Sequence, residues 1–232
     1  MSSGEDRKRG KAGRPIARRE FLKESAGLSV LAVVGLSGPR ALAAKTAEVP
    51  LAKGYLLVDP KKCQGCLTCM LACSMAHEGK ENLSLARIQV LQDPFQGFPQ
   101  DLSMAPCRQC ADPVCVTRCP TGAMHADPEH GFVRTVDPTK CIGCKTCVKE
   151  CPFPPSRSIW NPQIKRAHKC DLCAGAKFFD EAGGPAGKQA CREACPLNAI
   201  ALVIELPVQE GYADYQVNLR KATWRSFGYS PD

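Results

Sequence analysis

Residues 141–152 read Cys141-Ile142-Gly143-Cys144-Lys145-Thr146-Cys147-Val148-Lys149-Glu150-Cys151-Pro152, a C-x2-C-x2-C-x3-C-P run. Three thiols set two residues apart can converge on one centre. The fourth, one helical turn further on, points toward a neighbouring one. Gly143 lies where the loop must fold tightly, and a side chain there would crowd the centre. Pro152 stops the backbone from continuing as regular structure.

The run recurs. Cys63, Cys66, Cys69 and Cys73 repeat it, with Gly65 before the second cysteine. Cys107, Cys110, Cys115 and Cys119 form a variant with a longer middle gap, closed by Pro120. Cys170 and Cys173 are separated by a long insertion from Cys191 and Cys195, closed by Pro196. The sixteen cysteines fall into four groups of four, with none left over. The first group departs in one detail, since Ser74 follows Cys73 where the others have proline.

This spacing is that of bacterial ferredoxins, in which the fourth cysteine ligates the other cluster of a pair. Zinc sites use paired knuckles and need no third cysteine two residues after the second. Disulfides suit an even count, but cysteines so close in tight loops rarely meet disulfide geometry with one another. Four [4Fe–4S] cubanes are therefore expected. The second and third groups, adjacent in sequence, should exchange ligands, and the first and fourth should pair across the outside.

Bulk properties bound the rest. The chain has 232 residues and a formal charge of +8, of which residues 1–43 carry +5. Cluster ligation makes the remainder mildly acidic, so basic composition is no argument for nucleic acid. Aromatics are only 6%, a thin conventional core, so the metal centres should carry stability and apoprotein should be largely unfolded. Residues 1–44 read as a signal peptide: a basic start, Arg18-Arg19-Glu20-Phe21-Leu22-Lys23, a weakly apolar run from Ala26 to Gly38, and Ala41-Leu42-Ala43. The Arg-Arg-x-Phe-Leu-Lys string resembles the twin-arginine signal, with Ala17 where Ser or Thr is usual. That route carries folded proteins, which suits sixteen thiols that must receive iron before reaching an oxidising compartment. A periplasmic location and passage through the twin-arginine translocase are expected.

Residues 45–206 should form the four-cluster domain, and 207–232 an irregular polar tail. Strands are expected at Tyr55–Asp59, Arg87–Leu91 and Ala199–Leu206, a helix from Leu71 to His77, and a hairpin through Met124-His125 and Phe132–Val136. Residues 92–105 and 152–169 read as loop and connection, and Gly183–Gly187 as a surface loop. Asp137-Pro138-Thr139-Lys140 echoes Asp59-Pro60-Lys61-Lys62, extending the repeat beyond the cysteines.

Residues 52–205 resemble the four-cluster electron-transfer subunit of the dimethyl-sulfoxide-reductase family of molybdopterin enzymes. The resemblance implies an α+β fold of two pseudo-symmetric dicluster ferredoxin-like modules, with short helices and β-hairpins around four iron–sulfur clusters. It implies that Cys63, Cys66 and Cys69 join Cys195; that Cys170, Cys173 and Cys191 join Cys73; that Cys107, Cys110 and Cys115 join Cys151; and that Cys141, Cys144 and Cys147 join Cys119. It further implies a non-catalytic subunit that relays single electrons between a molybdopterin or tungstopterin catalytic subunit and a membrane quinol-handling or soluble partner. A free-standing exported polyferredoxin is the alternative. The histidines, His77, His125, His130 and His168, lack motif spacing. Arg108, Arg118, Lys145 and Lys149 are candidates for raising reduction potentials, or ordinary surface. No Gly-rich phosphate loop, nucleophile elbow or His-Glu-x-x-His string occurs.

Overall fold

The computed structural model describes residues 48–209 and 215–220. The signal-peptide reading of residues 1–44, including Arg18 and Arg19, lies outside them.

Among the described residues, four antiparallel two-stranded sheets and four α-helices hold the cysteine loops. Strand β1 (Tyr55–Val58) pairs with β8 (Ile200–Val203), joining the two ends of the domain, with Val58 opposite Ile200. Strand β4 (Met124–Asp127) pairs with β5 (Val133–Val136), with Met124 opposite Val136. The two sheets feed the cysteine loops in matching ways. Asp59 N–H donates to Ala199 O at 2.9 Å and Asp137 N–H to Ala123 O at 2.8 Å. Each aspartate carbonyl then accepts from the first cysteine of the next loop, Cys63 or Cys141, at 3.2 and 3.1 Å. The repeated Asp-Pro tetrapeptide is thus one turn used twice.

Helix α1 (Thr68–Glu78) is the longest. It runs on because Ser74 replaces proline after Cys73, and it ends at Gly79 in the left-handed region. Ser74 Oγ donates to Lys80 O at 2.6 Å and accepts from Asn82 N–H at 3.0 Å, fastening the chain beyond the helix. Helices α2 (Val114–Thr117), α3 (Thr146–Lys149) and α4 (Ala190–Glu193) are single turns. α1 packs on α4, and α2 on α3.

Two segments differ from the sequence expectation. Residues 102–105, read within a loop, form β3 (Leu102–Ala105) against β2 (Gln89–Gln92). The connection 152–169 contains the hairpin of β6 (Ser158–Asn161) and β7 (Arg166–Lys169). Each strand has only four residues, too few for alternation to show among prolines and charges. The available sign was Asn161-Pro162, a turn dipeptide whose Asn161 Oδ1 accepts from Gln163 N–H at 3.0 Å. The segment read as a tail also returns to the fold. Val217 N–H donates to Val58 O at 2.8 Å, Leu219 N–H reaches Asp59 Oδ2 at 2.8 Å, and Tyr215 is buried.

The main core mixes Leu56, Val58, Ile88, Leu172 and Ile200 with cysteines of three groups, so the thiols are themselves core. Beside it, α1 is locked to β7 and the fourth cysteine loop by buried charge. Arg87 Nη1 meets Asp171 Oδ2 at 2.8 Å, His77 Nε2 lies 3.5 Å from Asp171 Oδ1, and His168 Nδ1 lies 3.1 Å from Glu78 Oε1. Among the described residues no helix is long and apolar enough to cross a membrane.

Burial, with Arg87 nearby, depresses His77 to about 4 despite Asp171. The unfolded chain therefore takes up this proton first, and the stability that neutral His77 preserves is complete above about pH 6.5 and declines as pH falls toward 4. The gap corresponds to roughly 3 kcal/mol. We expect the stability of the holoprotein, measured by thermal release of its clusters, to fall between pH 7.5 and pH 5 more steeply than that of His77→Gln. Parallel slopes would remove His77 as the source.

Candidate metal centres

Each cysteine loop contains the same backbone device. The residue before the second cysteine lies in the left-handed region in all four: Gly65 (φ 66°), Gln109 (φ 49°), Gly143 (φ 75°) and Leu172 (φ 55°). The turn brings backbone N–H groups round to the first sulfur, with Gly65 N–H 3.4 Å from Cys63 Sγ and Gln109 N–H 3.4 Å from Cys107 Sγ. Glycine adopts this φ freely, whereas Gln109 and Leu172 do so at a cost of roughly 1–2 kcal/mol each. Both are fully buried. Gln109 is further held at both ends, with Nε2 donating to Cys170 O at 2.8 Å and Oε1 accepting from Arg134 N–H at 2.6 Å.

The last cysteine of each group also accepts a backbone N–H: Cys73 from Arg87 at 3.2 Å, Cys119 from Met124 at 3.3 Å, Cys151 from Arg157 at 3.2 Å and Cys195 from Ala199 at 3.3 Å. Such bonds stabilise negative charge on sulfur.

All sixteen cysteines are free thiols, and the fold gathers them into quartets drawn from different groups. Cys66 and Cys195 act electrostatically on both Cys63 and Cys69. Cys191 faces Cys73, Cys170 and Cys173. Cys107, Cys110, Cys115 and Cys151 line one cavity. Cys119, Cys141, Cys144 and Cys147 line another. The quartets follow one another as a file of neighbours, since Cys191 lies near Cys69, Cys170 near Cys107, and Cys147 near Cys115. Helix α1 bridges two of them, carrying Cys69 and Cys73 one turn apart.

Burial first, and neighbouring thiolates second, push Cys69 and Cys110 up to about 12 and Cys147 up to about 11. Cys170 and Cys191 lie well above the usual thiol range for the same reasons. Four such thiols cannot ionise together unless a cation sits among them. Converging thiols and N–H donors on sulfur fit an iron–sulfur cluster. Bound clusters would each supply one-electron redox chemistry. Cys66 and Cys144 shift the other way, both exposed and lowered by hydrogen bonds from Thr68 and Thr146. They stand in the quartets at the two ends of the file.

Of the basic residues singled out in the sequence, Arg108 is buried between the rings of Phe153 and Tyr215, 4.5 and 4.6 Å from their centroids. Lys145 Nζ lies over Trp160 at 4.4 Å, and Arg118 and Lys149 are exposed. Sequence reasoning missed Gln109, Arg134 and Lys169, all buried beside the Cys107 quartet. The one sign was position, since Lys169 directly precedes Cys170. Gly143 is needed for its φ and for the β6–β7 turn, because a Cβ there would lie 2.6 Å from Lys165 O. Gly122 has a similar φ of 64° but open space around it. Gly143→Ala should therefore cost roughly 1–3 kcal/mol and lower iron content more than Gly122→Ala does, as read by iron per chain after gel filtration; equal losses would leave φ as the only constraint.

The 4Fe-4S dicluster domain family matches residues 100–205. Protein NrfC of Escherichia coli is 35% identical over 189 residues, covering 79% of this chain and 78% of NrfC. Electron transport protein HydN of Escherichia coli is 34% identical over 170 residues, covering 64% of this chain and 87% of HydN. NADH-dependent phenylglyoxylate dehydrogenase subunit beta of Aromatoleum evansii is 32% identical over 158 residues, 68% of this chain and 32% of that subunit. The chain spans a third or less of its longer relatives. Cysteine loops, quartets and relatives converge: the chain belongs to the iron–sulfur electron-transfer proteins built on the 4Fe-4S dicluster domain.

Proposed function

We propose that this chain is an exported electron-transfer subunit that passes single electrons through four [4Fe–4S] clusters. The clusters are held by Cys63, Cys66, Cys69 and Cys195; by Cys73, Cys170, Cys173 and Cys191; by Cys107, Cys110, Cys115 and Cys151; and by Cys119, Cys141, Cys144 and Cys147. The observation that carries this reading is the file of neighbouring quartets with an exposed cysteine, Cys66 or Cys144, in each end quartet. Buried interior quartets insulate the path, and the exposed ends offer places for exchange with partners. The chain's own residues supply ligands, N–H bonds to sulfur and burial.

The two-module arrangement belongs to the same reading. Groups one and four share β1–β8 and the α1–α4 contact; groups two and three share β4–β5 and the α2–α3 contact. Matching Asp-Pro turns lead into each module.

A file of four centres is longer than exchange with one soluble partner requires. The proposed partners are a molybdopterin or tungstopterin catalytic subunit at one end and a membrane quinol-handling or soluble carrier at the other. Support comes from the relatives: one is named an electron transport protein and another a dehydrogenase subunit. Anaerobically purified protein should contain about sixteen iron and sixteen sulfide per chain, the sum of four cubanes. Native extract should yield it together with a larger catalytic subunit on gel filtration. Zinc without labile sulfide would sink the cluster assignment. Elution as a cluster-loaded monomer would favour a free-standing polyferredoxin.

Export by the twin-arginine route is proposed from Arg18, Arg19, Phe21, Leu22 and Lys23. Replacing both arginines with lysine should leave cluster-loaded precursor in the cytoplasm, seen by cell fractionation. Unchanged periplasmic yield would exclude the route.

A further inference from the structure

Buried charge is distributed unevenly along the file. Four basic residues surround the Cys107 quartet: Arg108, Arg134, Arg157 and Lys169, each 7% exposed or less. Arg134 turns its guanidinium to three carbonyls, Pro50 O and Phe132 O at 2.6 Å and Cys110 O at 2.8 Å. Lys169 lines the same cavity as the four cysteines and faces Cys107, Cys115 and Cys151. Neither Arg134 nor Lys169 takes part in an ion pair with a carboxylate among the described residues. The carboxylate on that cavity wall, Asp112, is exposed, where water screens it.

The other quartets differ. At the Cys73 quartet, Arg87 is matched by Asp171 at 2.8 Å, with Glu78 3.9 Å away. At the Cys63 quartet buried Lys62 turns its ammonium to Asn198 O and Leu219 O at 3.1 and 3.2 Å, and the acidic side chain of Asp101 faces Cys63. At the Cys119 quartet Lys145 is exposed and Cys144 is open to solvent, and Lys169 acts on Cys147 without lining that pocket.

We infer that Lys169 makes the centre held by Cys107, Cys110, Cys115 and Cys151 the highest-potential one in the file, so that it takes the first electron. The step adds one electron to a four-iron core, 2+ becoming 1+, with no bond made or broken and no proton moved. The donor is a neighbouring centre or, in a titration, dithionite. A buried cation against the ligand sulfurs stabilises the added charge far more than an exposed one can. Burial alone opposes reduction, but the Cys73 quartet is buried as well, so burial does not separate these two. Lys169 acts here as a fixed charge beside a ligand set that is anionic once a cluster is bound, and the effect needs no titration. An interior centre that fills first would hold an electron between the two ends, ready for either partner.

The inference rests on the cluster assignment above, and the two fail separately: iron and sulfide content tests the assignment, midpoints test this. The experiment is a dithionite titration of anaerobic holoprotein, followed by electron paramagnetic resonance. Lys169→Gln should lower the midpoint of the first-reduced signal by at least a tenfold change in its equilibrium constant, about 59 mV for one electron. Lys169→Arg should hold it near wild type, and the other three signals should move less. Cys110→Ser should alter the line shape of that first signal in protein whose Lys169 is intact. An unmoved first midpoint in iron-replete Lys169→Gln, equal shifts for Gln and Arg, or a Cys110→Ser change in a later signal would each overturn the inference.

Discussion

The structure depends on one electrostatic constraint. Sixteen thiols are gathered into quartets, and most of them are buried. Burial and mutual repulsion keep buried thiols such as Cys69, Cys170 and Cys173 far from ionising on their own. Ligation needs thiolates, so iron must supply the compensating charge, and its binding energy becomes folding energy. The weak conventional core agrees with this. Four separate two-stranded sheets would be marginal alone. What they share is the cysteine loops between them, and the main apolar cluster is partly built of cysteine.

The backbone answers that constraint locally and repeatedly. Four left-handed residues in equivalent positions turn four loops the same way. In two loops glycine makes this turn without strain. In the other two, Gln109 and Leu172 are held in it by full burial, and Gln109 by hydrogen bonds to Cys170 O and Arg134 N–H as well. Gln109 thereby ties the Cys107 quartet to the loop of the Cys73 quartet. Bridging of this kind, together with α1 carrying cysteines of two quartets, ties neighbouring quartets together. Fixed spacing is what single-electron relay requires, because the donor and acceptor centres cannot approach one another by diffusion.

Insulation and exposure are divided along the same row. Interior cysteines such as Cys170 and Cys191 lie among apolar and paired charged groups, while Cys66 and Cys144 meet solvent. The lock of Arg87, Asp171, His77, Glu78 and His168 stands beside the Cys73 quartet and balances its guanidinium against the carboxylates of Asp171 and Glu78. The cations beside the Cys107 quartet have no such balance in Lys169 or Arg134. Neighbouring centres with the same ligand set therefore sit in different fields, which is how one ligand type can serve different potentials.

The sequence alone determined the chemistry. Cysteine spacing is a local property, set by loops of three or four residues, so the four groups, Gly65 and Gly143, the Asp-Pro turns and the β4–β5 hairpin were all readable from neighbours in the chain. It could not show β3 or the β6–β7 hairpin, whose four-residue strands carry too little pattern, nor the return of residues 215–220 to β1. Tertiary structure alone decided which charges stand beside which quartet. Lys169 and Arg134 looked like ordinary surface residues in the sequence, and only packing from separate strands buries them against the thiols of a third segment. Burial of a charge is a long-range property of the fold, because the dielectric around a side chain is set by every element packed over it, and not by its neighbours in sequence.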